Sequence, residues 1–239
     1  MNIQTQLHEL LFNPIALILI IAIIILLDFL YKNKQYKKTT YYQITKNSYL
    51  SVYCDKGKYG EYLIYKSLRS FEDTGGKFLF NIYVPRENNK TTEIDLLIIC
   101  SKGLFVVESK NYDGWIFGNE TQKNWTQVIY DNKNFFYNPI MQNALHIKCL
   151  KKLIGENVSM HSIIVFSDRC TLKKITIRSN NINVINRCEV TPVIAQICKQ
   201  TQRELLTETE INDIYNKLYP YTQVGYETKI KHIANIMSR

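Results

Sequence analysis

The chain opens on an apolar block. From Ile15 to Leu27 thirteen consecutive residues are apolar, with Leu10, Leu11 and Phe12 before them and Phe29, Leu30 and Tyr31 after. The stretch Leu10–Tyr31 is 22 residues long, and about 20 suffice for a helix to cross a bilayer. It has no polar face, which disfavours a buried core helix. No basic residue precedes it and no small-residue cleavage site ends it, which disfavours a signal peptide. The pattern predicts a transmembrane helix over 10–31. Lys32, Lys34, Lys37 and Lys38 follow directly, so the N-terminus is expected outside the cell membrane and the rest in the cytoplasm. Residues 32–56, rich in Tyr and Lys, read as a polar connector.

Beyond it the periodicity changes from element to element. Residues 58–71 carry Ile64, Tyr65, Leu68 and Phe71 on one helical stripe, and spacing places Glu61 on that same stripe. Apolar runs predict strands at Phe78–Val84, Ile94–Cys100 and Leu104–Glu108, the last two joined by Ser101-Lys102-Gly103, where Gly103 can take a positive φ. Trp125–Tyr130 and Lys133–Tyr137 suggest a hairpin around Asp131-Asn132. Asn138-Pro139 marks a helix start, and the helix runs to about Ile154. Its apolar stripe holds Leu145, Cys149, Leu150 and Leu153, joined by Gln142 and His146. Strands at Ser162–Phe166 and Ile182–Ile185 and helices at 190–203, 208–218 and 226–237 complete an α/β pattern.

Charge changes this picture little. The net charge is +9, compatible with an anionic partner, but it is spread along the chain without a basic tract. Six cysteines lie far apart with no close pair. That argues against a thiolate metal site and for free thiols in a reducing compartment.

The chemistry concentrates on two buried strands. Side chains two apart share a face, so Glu108 and Lys110 project together. With a two-residue loop at Lys102-Gly103, Asp95 is expected opposite Lys110 and beside Glu108. Two carboxylates and an ammonium in one pocket repel and attract strongly enough to call for a hard divalent cation, Mg²⁺ or Mn²⁺, which accepts such oxygens. Asp95, Glu108 and, through a water, Glu61 are the candidate metal ligands. Lys110 would orient the attacking water or help to deprotonate it. The bland alternative is that these are ordinary charges flanking strands, with Lys110 paired to Asp95. His146 is either a ligand or a hydrogen-bonded core residue. Trp115 and Trp125 either stack on bases or, more simply, pack in the core. Lys173, Lys174 and Arg178 either contact phosphates or face solvent.

Gly60-Glu61, Glu93-Ile94-Asp95, the run Gly103 to Tyr112 containing Glu108-Ser109-Lys110, Gly114, Trp125, and Asn138-Pro139-Ile140 with Gln142, Asn143 and His146 together resemble the nuclease-related domain family. The resemblance covers about residues 57–155. It implies membership of the PD-(D/E)xK nuclease superfamily, with a restriction-endonuclease-like mixed central sheet flanked by helices and Mg²⁺-dependent cutting of DNA. By resemblance Asp95, Glu108 and Lys110 form the catalytic trio, Glu61 is an additional acid, and Gln142 is the polar residue from the following helix. Residues 156–239 are expected to be an α/β extension packed on the same domain. A membrane-tethered nuclease acting on nucleic acid, most simply DNA, is the leading expectation. A non-catalytic tethered module binding nucleic acid or protein is the alternative.

Overall fold

A computed structural model of the chain describes residues 13–237, so Leu10–Phe12 of the expected span lie outside the described residues. Helix α1 (Pro14–Tyr36, 23 residues) is capped by the Asn13 side chain, which accepts the Ile15 amide at 2.9 Å. Its apolar side chains point away from the fold; Ile15 is 68% exposed and Ile25 64%. Among the described residues it is the helix long and apolar enough to cross a membrane.

The segment 32–56 differs from the polar connector expected. It finishes α1 and then forms two short helices, α2 (Thr40–Thr45) and α3 (Tyr49–Cys54). Tyr36, Tyr41, Ile44 and Val52 are buried in the main core. Tyrosine explains the misreading: the ring is a large apolar surface and only its hydroxyl needs a partner. Tyr36 Oη donates to the Asn47 carbonyl at 2.9 Å and Tyr41 Oη to that of Lys58 at 3.3 Å. The rings of Tyr36, Tyr41 and Tyr62 pack edge-on or tilted, 5.3–6.3 Å apart.

Helix α4 (Lys56–Leu68) starts where the Asp55 side chain accepts the Lys58 amide at 3.1 Å. It buries Ile64, Tyr65 and Leu68 as the periodicity predicts, then tightens into a 3₁₀ turn over Arg69–Thr74.

Five strands, β1 (Lys77–Pro85), β2 (Thr91–Cys100), β3 (Gly103–Lys110), β7 (Met160–Phe166) and β9 (Ile182–Asn186), form the central sheet in the order β1-β2-β3-β7-β9. The first three are antiparallel to one another; β7 and β9 join in parallel. This is the mixed sheet expected, with β2 and β3 in its middle. Helix α5 (Pro139–Ile154) covers one face and α4 the other. Thus Glu108 and Lys110 reach α5 side chains, while Ser109, one residue along, lies against Gly60 of α4.

A second sheet was not anticipated. Strands β4 (Gly114–Asn119), β5 (Asn124–Ile129), β6 (Asn132–Tyr137) and β8 (Cys170–Thr176) pair in the order β6-β5-β4-β8. The β5–β6 loop is Tyr130-Asp131, one residue earlier than expected, with Tyr130 at φ 52°. The two sheets meet through Trp125, which stacks on Phe166 at 6.1 Å. Gly118 is required there, since a Cβ would lie 2.1 Å from the Trp125 ring.

Helices α6 (Val190–Gln200) and α7 (Glu208–Leu218) bury Val190, Ile194, Ile211, Ile214 and Leu218 in the central core. Helix α8 (Tyr226–Met237) ends the described chain.

Candidate active site

The site begins with the β2–β3 turn. Gly103 sits at φ 112°, and a Cβ there would come within 2.9 Å of the Ser159 carbonyl oxygen. The Leu104 amide donates to that same oxygen at 3.0 Å. This bond to the chain entering β7 starts β3 at Gly103 and leaves only Ser101-Lys102 for the turn, with Cys100 paired to Gly103. The expected loop at Lys102-Gly103 is therefore corrected. Continued one rung past Leu96–Val107, the register sets Asp95 opposite Glu108, not opposite Lys110. A slip of two residues leaves the face unchanged, so the convergence survives and the neighbour changes.

Around that rung the hydrogen bonds are specific. Asp95 Oδ2 accepts the Ser109 amide at 2.7 Å. Lys110 Nζ donates to Glu108 Oε1 at 2.7 Å and to Gln142 Oε1 at 3.1 Å. His146 Nε2 meets Glu108 Oε2 at 3.0 Å, and its Nδ1 meets Thr92 Oγ1 at 2.9 Å. His146 and Glu108 are each about 1% exposed. The histidine is thus a hydrogen-bonded core residue whose partner is the central carboxylate. With Nε2–H donating to Glu108, Nδ1 accepts from the threonine hydroxyl, so one tautomer satisfies both contacts.

The charges pull in opposite directions. Burial, then Glu108, then Glu61 raise the Asp95 carboxyl well above its usual range. Burial and then Glu93 raise Glu61 to about 8. Burial would raise Glu108 too, but Lys110 and His146 together hold it below its usual value. Burial disfavours the Lys110 ammonium, and Glu108 and Asp95 outweigh it, so Lys110 stays charged. Glu61 does not join the hydrogen-bonded set. Its direct partner is Tyr41 Oη at 3.4 Å, and it acts on Asp95 only through space.

Asn81 belongs to the same rung and was missed. Phe80 pairs with Leu96 and Ile82 with Ile94, so Asn81 stands opposite Asp95 on the other side from Glu108. Its backbone is left-handed (φ 51°), and its Oδ1 is buried without a donor. The sequence signal is one amide within the apolar run Phe78–Val84.

Among the described residues no group of three or more His, Cys, Asp or Glu side chains is arranged to hold a metal ion; Lys110 supplies the neighbouring positive charge. The donor chemistry nonetheless suits a hard cation, because the row Asn81–Asp95–Glu108 offers two carboxylates and an amide oxygen, the last of them orphaned.

Elsewhere, Trp125 is fully buried and packs in the core, whereas Trp115 is 51% exposed, with Lys173 Nζ 4.8 Å over its ring. Lys174 and Arg178 are exposed. Cys100, Cys149 and Cys170 are buried free thiols.

Residues 56–167, from the start of α4 to just past β7, match the nuclease-related domain. An uncharacterized protein of Bacillus anthracis is 34% identical over 185 residues, 77% of this chain and 85% of that relative. The chain belongs to the nuclease-related domain family. The matched region holds every residue of the Asn81–Asp95–Glu108–Lys110 set together with Glu61, Gln142 and His146. The similarity to the Bacillus protein spans more of the chain, 185 residues, than the nuclease-related domain at 56–167 does. No solved structure matches.

Proposed function

We propose that this nuclease-related domain hydrolyses phosphodiester bonds, most simply in DNA, with a divalent metal ion, and that α1 holds it at the cytoplasmic face of a membrane. One observation carries the reading: Asp95 stands beside Glu108 on a buried face, where burial and then the neighbouring Glu108 raise the Asp95 carboxyl while Lys110 remains charged.

Asp95 and Glu108 would hold Mg²⁺ or Mn²⁺, with Asn81 Oδ1 beside them and Glu61 contributing charge through space. The ion would supply Lewis-acid stabilisation of negative charge on the phosphate oxygens. The chain's own groups do the positioning. Glu108 and Gln142 fix the Lys110 ammonium, which can contact the scissile phosphate and orient the attacking water. His146, itself fixed by Thr92, holds Glu108 in one rotamer. Water adds to phosphorus and one ester P–O bond breaks, leaving a phosphate monoester and a hydroxyl.

Full-length protein in neutral detergent should cleave DNA with Mg²⁺ or Mn²⁺. Lys110→Ala should abolish cleavage while the protein, though destabilised by loss of the buried partner of Glu108, still unfolds cooperatively. Undiminished cleavage by Lys110→Ala would discard the assigned centre. Metal-independent binding without any cleavage would favour the alternative tethered binding module, a reading supported by the engagement of both Glu108 oxygens.

The anchor rests on the 23-residue length of α1, about 35 Å of helix, and on the lysines that follow its apolar stretch. Cys54 and Cys188 are exposed thiols. In intact cells an impermeant maleimide should label neither until the membrane is opened. Labelling of intact cells would reverse the orientation.

A further inference from the structure

Next to the Lys110–Gln142 pair lies a cavity of about 570 Å³, walled by the β1–β2 loop, the ends of the β5–β6 hairpin, α5 and α8. Gln142 and His146 line it, so it begins one hydrogen bond away from Lys110. On the other side of that bond, Lys110 itself lines a second cavity of about 430 Å³, with Lys56 on its wall. The Lys110–Gln142 hydrogen bond therefore joins the walls of two hollows.

The larger one has the chemistry of a strand-binding site. Arg86, Lys90 and Lys123 stand on its wall. Among the described residues none of the three is in an ion pair, and the neighbouring Glu87 is committed to Lys152 at 2.8 Å. Glu93 is the sole acid on the wall, 3.8 Å from His232. The cations are held in place by backbone. Asn88 and Asn89 both take positive φ (60° and 54°), as a tight mirror-image turn requires, and the Arg86 amide donates to the Lys90 carbonyl at 2.7 Å. The Lys123 carbonyl accepts the Asn138 amide at 2.9 Å. Asn138 is buried and donates through Nδ2 to three further carbonyls of the same loop, those of Asn119, Glu120 and Gln122. Tyr137 lies on the wall at 43% exposure, available to stack.

We propose that this cavity binds single-stranded nucleic acid beside the scissile phosphate, with Arg86, Lys90 and Lys123 contacting backbone phosphates and Tyr137 stacking on a base. The volume falls in the range of small-ligand sites and so admits about two nucleotides of one strand. A duplex does not enter. The enzyme thus acts on a frayed, flapped or single-stranded stretch. The inference rests on the nuclease reading for its meaning, but binding can be measured without catalysis.

The test is fluorescence anisotropy of full-length protein in neutral detergent with EDTA, using a labelled 12-nucleotide single strand and a blunt hairpin duplex across a salt series. The single strand should bind at least tenfold more tightly than the hairpin. Lys90→Ala/Lys123→Ala should flatten the logarithmic salt dependence by about 1.4 and weaken binding roughly 20-fold at 0.1 M salt, since each single-strand phosphate contact contributes about 0.7 to the slope. Lys199→Ala/Lys217→Ala, which removes equal charge from α6 and α7, should change the slope little. Tyr137→Ala should weaken binding at least fivefold without altering the slope. Equal losses from the two double variants, or equal affinity for strand and hairpin, would overturn the proposal. Wild-type protein that binds the strand as described but never cuts would sink the nuclease reading and leave the cavity assignment standing. Cleavage that persists with a double variant binding like wild type would do the reverse.

Discussion

Glu61→Gln offers the sharpest probe of the electrostatics. In the folded chain the Glu61 carboxyl titrates at about 8, against an ordinary value of 4.5, because burial and then Glu93 disfavour its charge. A folded-state value raised in an acid means that the native state holds its proton longer than the unfolded chain does. The associated stability is complete below about pH 4.5 and is lost as pH rises through about 8. At about 1.4 kcal/mol per pH interval the full loss approaches ~5 kcal/mol. The side chain keeps some solvent exposure, which screens the charge and brings the expected figure to roughly 2–3 kcal/mol. Glutamine keeps the shape and cannot ionise. Wild type and variant should therefore unfold alike at pH 5, and at pH 9 the variant should be the more stable by that amount. Urea unfolding of the full chain in detergent, followed by fluorescence of the buried Trp125, reads this as a midpoint shift of about 1–2 M. The comparison at each pH cancels titration of other groups. Under the metal reading, millimolar Mg²⁺ at pH 8–9 should stabilise wild type and should stabilise the variant less. If the two proteins show the same stability at pH 5 and at pH 9, Glu61 is not held among the acids and its assigned role fails.

Three further outcomes are expected. His146→Ala deletes the buried partner of both Glu108 and Thr92 and should destabilise by roughly 3 kcal/mol in urea unfolding; a loss below about 1 kcal/mol would mean the bridge is not formed. Asn81 has φ 51°, so Asn81→Ala should lose about 1–2 kcal/mol that Asn81→Gly does not lose, and equal losses in urea unfolding would rule out the left-handed backbone there. A fragment of residues 33–239 keeps Tyr36, Tyr41, Ile44 and Val52 in the core and should unfold cooperatively, whereas 57–239 lacks them and should not; two equally sharp transitions by circular dichroism would remove α2 and α3 from the core.

The sequence disclosed the elements whose periodicity is their own. The apolar runs of β2 and β3 are buried on both faces, so hydrophobicity alone marks them, and Asn138-Pro139 places the start of α5 to the residue. It concealed the elements that borrow their burial from elsewhere. Strand β8 carries the adjacent exposed lysines Lys173 and Lys174, which break the alternation that marks a strand; pairing with β4 makes it one. The α2–α3 segment looks polar because tyrosine counts as polar until a core receives its ring. Asn81 was concealed for another reason: an amide in an apolar strand carries no label for the rung it occupies, and that rung is set by pairing.

Register is where pattern and tertiary structure part company. Alternation of side chains determines which face Asp95, Glu108 and Lys110 share, and it cannot distinguish pairings that differ by two residues. Those pairings differ chemically. Asp95 opposite Lys110 would have given an ion pair that satisfies itself and leaves Glu108 to His146. Asp95 opposite Glu108 gives two acids in one row, one held ionised by Lys110 and His146, the other pushed toward its protonated form. What selects the second is remote from the carboxylates: the Leu104 amide donating to the Ser159 carbonyl, beside a Gly103 that has no room for a Cβ. A side chain at position 103 would press on that contact, and a longer β2–β3 loop is the nearest relief. The acidic character of the site, and with it any capacity to hold a cation against a phosphodiester, depends on a glycine five rungs away from the acids, counted from the Cys100–Gly103 pair to the row that holds Asp95 and Glu108.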